Sequence, residues 1–219
     1  MSVAEASDKA TLLDRVTLAY AFTDADKVQL AHLLATSYLT AKVSAYRRAE
    51  ATAAHVLRLK HPWQPSSRDA QSAQDKANEW VESIAATYET MLRNHLEQTY
   101  TPLDRSLWSG IGDAIKNVGA WFADMVDWKS EQIANVTLGT GGYDGTSEWI
   151  EDVIAESESG DLTGEGDPNG VRVRVVPDSS SSDICSDFAG QDYSLEEASD
   201  LPEFPIHPRC PHQIEVYVV

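Results

Sequence analysis

The sequence predicts an α+β protein that is mostly α, with an N-terminal antiparallel helical part followed by a small C-terminal β-containing module. Apolar residues recur at helical spacing through most of the first 158 residues. They alternate with period two at 171–176 and again at 213–218. Glycine, acidic residues and proline interrupt both patterns at 159–168. We therefore expect a helical domain at 1–158, an acidic linker at 159–168 and a strand module at 169–219.

Five helices are expected in the N-terminal part. A short apolar stripe from Leu12 to Tyr20 predicts the first helix. Thr23 and Asp26 have the spacing of a capping box, so we expect the second helix to start there and to continue to about His61, before Pro62. The third helix is expected to begin at Asp69.

The fourth and fifth helices follow the break at Thr101-Pro102. The fourth is rich in tryptophan, and glycine is a common helix terminator, so we expect the run Gly139-Thr-Gly-Gly to end it. A short fifth helix is expected from Thr146 to about Ser157.

The C-terminal module is predicted to contain two main strands. Val171, Val173 and Val175 would share one face of the first strand, with Arg172 and Arg174 on the other. A single helical turn is expected at 195–198, and three prolines, Pro202, Pro205 and Pro208, hold the chain extended before the last strand. We expect 171–176 and 213–218 to pair as an antiparallel sheet that covers Cys185 and Phe188.

Composition sets limits on the class of protein. The chain has 219 residues, of which 42% are hydrophobic, so it can bury a core as one domain or two small ones. No apolar run approaches the roughly 18 residues of a membrane span, and the N-terminus lacks the features of a secretory signal. Two cysteines argue against a disulfide-rich secreted scaffold.

The negative charge is concentrated in the C-terminal third. The formal net charge is −18, and residues 141–219 contain 18 Asp or Glu and three Arg, a balance of 3 − 18 = −15. The first 140 residues therefore carry −18 + 15 = −3. A surface as acidic as the C-terminal third repels phosphate, so we expect no DNA contact through this module.

Four residues of the module have the chemistry of a metal site. Cys185, His207, Cys210 and His212 are two thiols and two imidazoles, the ligand set of a tetrahedral structural zinc. Two alternatives stay open. Both cysteines would be buried small hydrophobes while the histidines hydrogen-bond to loops, or Cys185 and Cys210 would form a disulfide, which a reducing compartment disfavours.

The tryptophans of the helical part are candidate partner-binding residues, since large aromatic side chains are enriched at interface hot spots. A membrane-interface helix is the alternative for the region from Trp108 to Trp128, but its mixed acidic and basic residues are not typical of one. The predicted anchors are Trp63, Trp108, Trp121 and Trp128.

No catalytic motif is present in the sequence. Glu148 and Asp152 would share a helix face as an acidic pair, but such pairs arise freely among 35 acidic residues. The sequence has no P-loop, zinc-protease helix or nucleophile elbow. We therefore expect a protein that is not an enzyme.

The order of features in the module resembles the C-terminal part of the phage Mu F-type (MuF-like) minor head proteins, also called head-morphogenesis proteins. The resemblance includes Gly170-Val171 before the first strand. It also includes a closing Pro-x-His-Pro-x-Cys motif, from Pro205 to Cys210, before the last strand. The sequence differs from the family at Ser182, where a cysteine is often found, and after Ala155-Glu156-Ser157-Glu158, where Gly160 replaces the start of a long helix. The other matched positions are Cys185, Phe188 and Gly190 in the middle, and Pro205, His207, Pro208, Cys210 and His212 at the close.

The resemblance implies a structural minor capsid protein of a tailed bacteriophage. Such a protein would dock to the portal protein or the major capsid protein, in multiple copies, and assist head assembly and DNA packaging. It would be located in the virion, be assembled in the host cytoplasm and have no membrane contact. The alternative is a small zinc-binding module with a binding or hydrolytic role.

Overall fold

The computed structural model describes residues 23–99, 111–164, 168–176, 185, 187–204 and 213–219, and of residues 96–99, 111–131 and 168 it describes the backbone alone. The predicted first helix lies outside these ranges. Three long helices precede a small sheet, which confirms the α+β, mostly α fold. The elements are α1 (Asp24–Ala53), α2 (Ser67–Thr99), α3 (Ile111–Ser159), a 3-10 turn (Pro168–Gly170), β1 (Val171–Val175), β2 (Asp192–Tyr193), α4 (Leu195–Ser199) and β3 (Ile214–Val218).

Capping boxes fix the starts of three helices. The predicted box at α1 is confirmed: the Thr23 amide donates to Asp26 Oδ2 at 3.0 Å, and the Asp26 amide donates to Thr23 Oγ1 at 3.2 Å. These bonds from Thr23 hold the pKa of Asp26 below its ordinary value. Ser66 and Asp69 form a second box, so α2 begins at Ser67, two residues before the predicted start. The third box caps α4.

The expected extension of α1 to His61 is wrong, because the helix ends at Ala53. The chain that follows is pinned to the region after α3. Both carboxylate oxygens of Glu156 accept backbone N–H bonds at 2.6 Å, from Lys60 and from His61. The Thr163 amide also donates to the Arg58 carbonyl at 3.0 Å. Distant partners therefore replace the hydrogen bonds that a continued helix would have made.

The expected break at Gly139-Thr-Gly-Gly is also wrong, because α3 is one helix of 49 residues that joins the predicted fourth helix, from Ile111 onward, to the predicted fifth. Two of its glycines, Gly141 and Gly145, lie directly against α1. A Cβ atom on Gly141 would lie 2.5 Å from the Tyr38 carbonyl oxygen, and one on Gly145 would lie 3.0 Å from the Ala45 Cβ. These glycines permit close packing of the two helices, and that packing offsets their low helix propensity.

The end of α3 was predicted correctly to within a few residues. Gly160 has φ +74°, the left-handed conformation that favours glycine. The Gly160 amide donates to the Ser157 carbonyl at 3.3 Å, and the Asp161 amide donates to the Glu156 carbonyl at 2.9 Å. This pair of bonds is a Schellman motif, which ends the helix at Ser159.

The sheet confirms the predicted strand pairing. Its order is β2-β1-β3, and both pairs are antiparallel. In the β1–β3 pair, Val173 lies opposite Val216 and Val175 lies opposite Ile214. The three valines of β1 are buried, Cys185 is buried in the same core cluster, and Phe188 packs against that cluster.

The contacts divide the chain into two compact units. In the first unit, formed by Met1–Leu33 and Gln74–Lys129, Lys27 Nζ lies 2.9 Å from Glu82 Oε2. The second unit is formed by Leu34–Ala73 and Ser130–Val219. Its described residues include a hydrophobic cluster in which Tyr46 and Ala49 of α1 and Trp149 of α3 pack with the valines of β1. The strands therefore share a core with parts of α1 and α3.

A search of the described helices finds none with the length and apolar composition that crossing a membrane requires.

We predict that Gly145→Ala lowers the free energy of unfolding by about 1–3 kcal/mol, because the new methyl group would meet the backbone of α1. Urea unfolding of the full chain measures this change. Gly142→Ala is the matched control: it lies on the same helix, and its Cβ would meet no atom within 4 Å. The control should keep or gain stability, by up to about 1 kcal/mol. Equal losses in both variants would contradict the close packing of α1 and α3.

Candidate functional site

Side chains of α1 and α3 in the second unit form a regular series of hydrogen bonds, which we call the α1–α3 ladder. Tyr38 Oη donates to Asp144 Oδ2. Lys42 Nζ donates to Glu148 Oε2 at 2.7 Å, and Tyr46 Oη donates to Asp152 Oδ2 at 2.5 Å. Each pair is separated by 106 positions. Partners at a constant offset, four residues apart on both helices, mean that these two segments run parallel.

Glu156 continues the same helix face beyond the ladder. It is only 9% exposed, and it accepts the two backbone bonds that hold the loop after α1. Glu148 and Asp152, the acidic pair that the sequence places on one helix face, lie on this face as well, but the two carboxylates have different partners. These bonds place both carboxylates in the contact between α1 and α3.

Burial changes the acidity of the tyrosines in the ladder. Desolvation, and then the hydrogen bond to Asp144, raises the pKa of Tyr38 far above its ordinary value. Desolvation, and then the bond to Asp152, does the same for Tyr46. Both hydroxyls therefore remain protonated donors across the neutral pH range.

Trp63, a predicted partner-binding residue, packs against the ladder. Its ring centroid lies 5.4 Å from that of Tyr46 and 4.8 Å from Lys42 Nζ. Its backbone N–H donates to Tyr46 Oη at 2.8 Å and to Asp152 Oδ2 at 3.2 Å. Trp63 is therefore fixed within the second unit, and its role as a partner anchor stays a prediction.

The other predicted anchors fall outside what the structure describes. Trp108 lies outside the described residues, and Trp121 and Trp128 lie on the part of α3 for which only the backbone is described. Their role as anchors also stays a prediction. A fifth tryptophan, Trp149, is 1% exposed and belongs to the core of the second unit.

The structure describes one of the four proposed zinc ligands. Cys185 is buried in the cluster with the valines of β1, whereas His207, Cys210 and His212 lie outside the described ranges. Among the residues that are described, no three His, Cys, Asp or Glu side chains cluster as metal ligands would. The zinc site and the Cys185–Cys210 disulfide both stay predictions.

The solvent-facing side of the sheet contains an ion pair. Arg174 donates to both carboxylate oxygens of Asp192, from Nε at 2.6 Å and from Nη2 at 3.1 Å, and its guanidinium lies 4.8 Å from the Tyr217 ring centroid. The bond from Arg174 holds the pKa of Asp192 below its ordinary value. This guanidinium is therefore already engaged by a local carboxylate.

A groove of about 410 Å³ lies in the second unit, and we call it the β3 groove. It is lined by residues of α1 between Ala41 and Thr52 and by residues of α3 between Leu138 and Thr146. Residues 214–216 of β3 and the preceding Gln213 form its third side. Sequence analysis missed this groove. The sequence feature that indicates such a groove is a series of small residues spaced by four on α1, namely Ala41, Ala45 and Ala49.

Comparison with protein-family models, curated proteins and solved structures finds no significant match to this chain. Function is therefore argued from residues and geometry.

We predict that Tyr46→Phe lowers the free energy of unfolding by about 1–3 kcal/mol at neutral pH, because Asp152 loses a charge-assisted hydrogen bond. The folded state holds the Tyr46 proton more tightly than an unfolded chain with the ordinary pKa of 10.0. The raised pKa of Tyr46 contributes to the free energy of unfolding. This contribution is fully present below pH 10.0 and is lost as the pH rises above 10.0. Urea unfolding across the alkaline range should show a smaller alkaline loss for the variant than for the wild type. Identical pH dependence would contradict the buried Tyr46–Asp152 bond.

The zinc hypothesis predicts about one equivalent of zinc per purified chain, because four thiol and imidazole ligands complete a tetrahedral site. Cys210→Ser should lose this zinc and unfold the C-terminal module, whereas Ser182→Ala, at a position without a predicted ligand, should keep it. Elemental analysis together with circular dichroism measures both effects. A folded wild-type chain without zinc would end the hypothesis.

Proposed function

We propose that this protein is a structural minor head protein of a tailed bacteriophage, which docks to the portal or the major capsid protein and assists head assembly and DNA packaging. The observation that carries the proposal is the MuF-like arrangement of residues 169–219. The register of β1 and β3 supports it, because the strands that flank the motif residues pair directly. The burial of Cys185 under these strands also fits a compact module built on that motif.

The arrangement of charge favours protein partners. Residues 141–219 carry −15 of the −18 formal units. Of the three arginines in that region, Arg174 donates from Nε and Nη2 to the carboxylate of Asp192. Tight non-specific DNA binding needs several Lys or Arg on phosphates, and this region does not supply them.

The first 140 residues are the proposed docking surface. They carry 17 − 3 = 14 basic residues and a net charge of −3, so they repel a protein partner less than the C-terminal third does. They also contain Trp108, Trp121 and Trp128, aromatic residues of the kind that anchors protein interfaces.

Purified particles of the phage that encodes the chain test the proposal. The protein should be found in DNA-filled heads and in portal-containing subassemblies, in several copies per particle, by quantitative mass spectrometry. Its absence from particles that contain portal and capsid proteins would overturn the proposal.

A docking experiment tests the assigned surface. The double variant Trp121→Ala with Trp128→Ala should weaken co-purification of the full chain with portal or capsid protein by about tenfold or more, because hot-spot aromatics carry much of the binding free energy. Lys27→Ala is a control on the same helical part, since it removes the ion pair with Glu82 and leaves the tryptophans in place. Unchanged association of a folded double variant would remove the tryptophans from the interface.

A further inference from the structure

Strand β3 forms one edge of the sheet in the part of the chain that the structure describes, because its one neighbour there is β1. The Val176 amide donates to the Gln213 carbonyl at 2.8 Å, and the Val219 amide donates to the Gly170 carbonyl at 2.9 Å. In an antiparallel pair, backbone groups alternate between pointing toward the partner strand and pointing away from it. Glu215 and Tyr217 therefore direct their N–H and C=O groups to β1, while Ile214 and Val216 direct theirs outward.

The β3 groove runs beside this outward edge. Residues 213–216 line it, and no residue of β1 or β2 does. Its opposite walls include the small side chain of Ala45 and the longer side chain of Arg48 on α1, and the glycine backbone at Gly142 beside Tyr143 on α3. A Cβ atom on Gly142 would meet no atom within 4 Å. The groove therefore combines backbone hydrogen-bonding groups of a strand edge with room for side chains.

We propose that the β3 groove binds an extended peptide segment of a partner protein, which adds to the sheet as a strand next to β3. The outward N–H and C=O groups of Ile214 and Val216 would bond to the peptide backbone. Side chains of the added strand would alternate between the groove and the outer face of the sheet. The alanine and glycine positions of the walls leave room for small side chains on the inner face.

Charge complementarity selects a basic peptide. Glu215 is exposed on the outer face of β3, next to the position of an added strand, and an opposite charge on a neighbouring strand is favourable. Arg48 lines the α1 wall of the groove, so the basic residues of the peptide belong on its outer face, opposite Glu215. The surrounding C-terminal third carries −15, which attracts cations over a longer range. A second copy of this chain would bring the same acidic charge to the edge, so self-association is disfavoured. The inference does not depend on the proposed role in the virion.

Hydrogen exchange of the full chain tests the added strand directly. The probe is an end-capped peptide of about seven residues that alternates lysine with valine or alanine, a typical strand length. Without peptide, the amides of Glu215 and Tyr217 should be protected while those of Ile214 and Val216 exchange quickly. With peptide, the amides of Ile214 and Val216 should slow by about tenfold or more. No slowing at saturating peptide would overturn the proposal.

Two matched controls separate strand addition from simple charge attraction. Methylating the peptide amides that would face β3 should abolish binding, whereas methylating the alternate amides should leave it intact at the same net charge. Gly142→Leu should fill the groove and weaken binding by about tenfold, while Gly142→Ala should leave it nearly unchanged.

Calorimetry at about 0.15 M salt measures both comparisons, and thermal unfolding checks that each variant is folded. Equal binding of the two methylated peptides would show charge attraction alone and overturn the proposal. Concentration-dependent dimers of the chain that protect Ile214 and Val216 without peptide would assign the edge to a second copy and would also overturn it.

Discussion

The close approach of α1 and α3 is the constraint on which the second unit depends. It exists because Gly141 and Gly145 present no side chain where the backbone of α1 passes. With the axes this close, short and long polar side chains alike reach across, and Tyr38, Lys42 and Tyr46 meet three carboxylates of α3 at one constant offset. Close packing and hydrogen bonding thus support each other along the same two helix faces, and neither helix would be as well ordered alone.

The same face of α3 organises the loop and the sheet. Beyond the ladder, Glu156 accepts the Lys60 and His61 amides and so turns the chain after α1 back along α3. Trp149, on the adjoining face, is buried in the cluster that includes the valines of β1. The small sheet therefore rests on helices rather than on a core of its own, which is what a three-stranded sheet of this size requires for stability. Experiments on function accordingly use the full chain.

The two proposed roles belong to parts of the chain that differ in net charge, −3 for residues 1–140 and −15 for residues 141–219. The nearly neutral helical part is proposed to dock to virion proteins, and the acidic module is proposed to receive a basic strand at β3. Both are binding functions, and both use surfaces rather than the carboxylates of the ladder, whose hydrogen bonds lie in the contact between helices. An acidic module whose β3 edge has no neighbouring strand among the described residues also disfavours pairing with its own copies, because like charges oppose the edge-to-edge contact that such strands otherwise invite.

The sequence by itself determined the features that depend on local patterns. The mostly α, α+β fold, the Thr23–Asp26 cap, the end of α3 near Gly160 and the pairing of β1 with β3 all followed from spacing and alternation between near neighbours. The end of α1, the continuity of α3 and the β3 groove were decided by tertiary structure. Glu156 lies nearly a hundred positions from the loop it holds. The glycines of α3 weaken an isolated helix, yet they allow α3 to pack closely against α1. Helix propensity favours a break there by about 1 kcal/mol per glycine, and only the contact with a distant helix outweighs it.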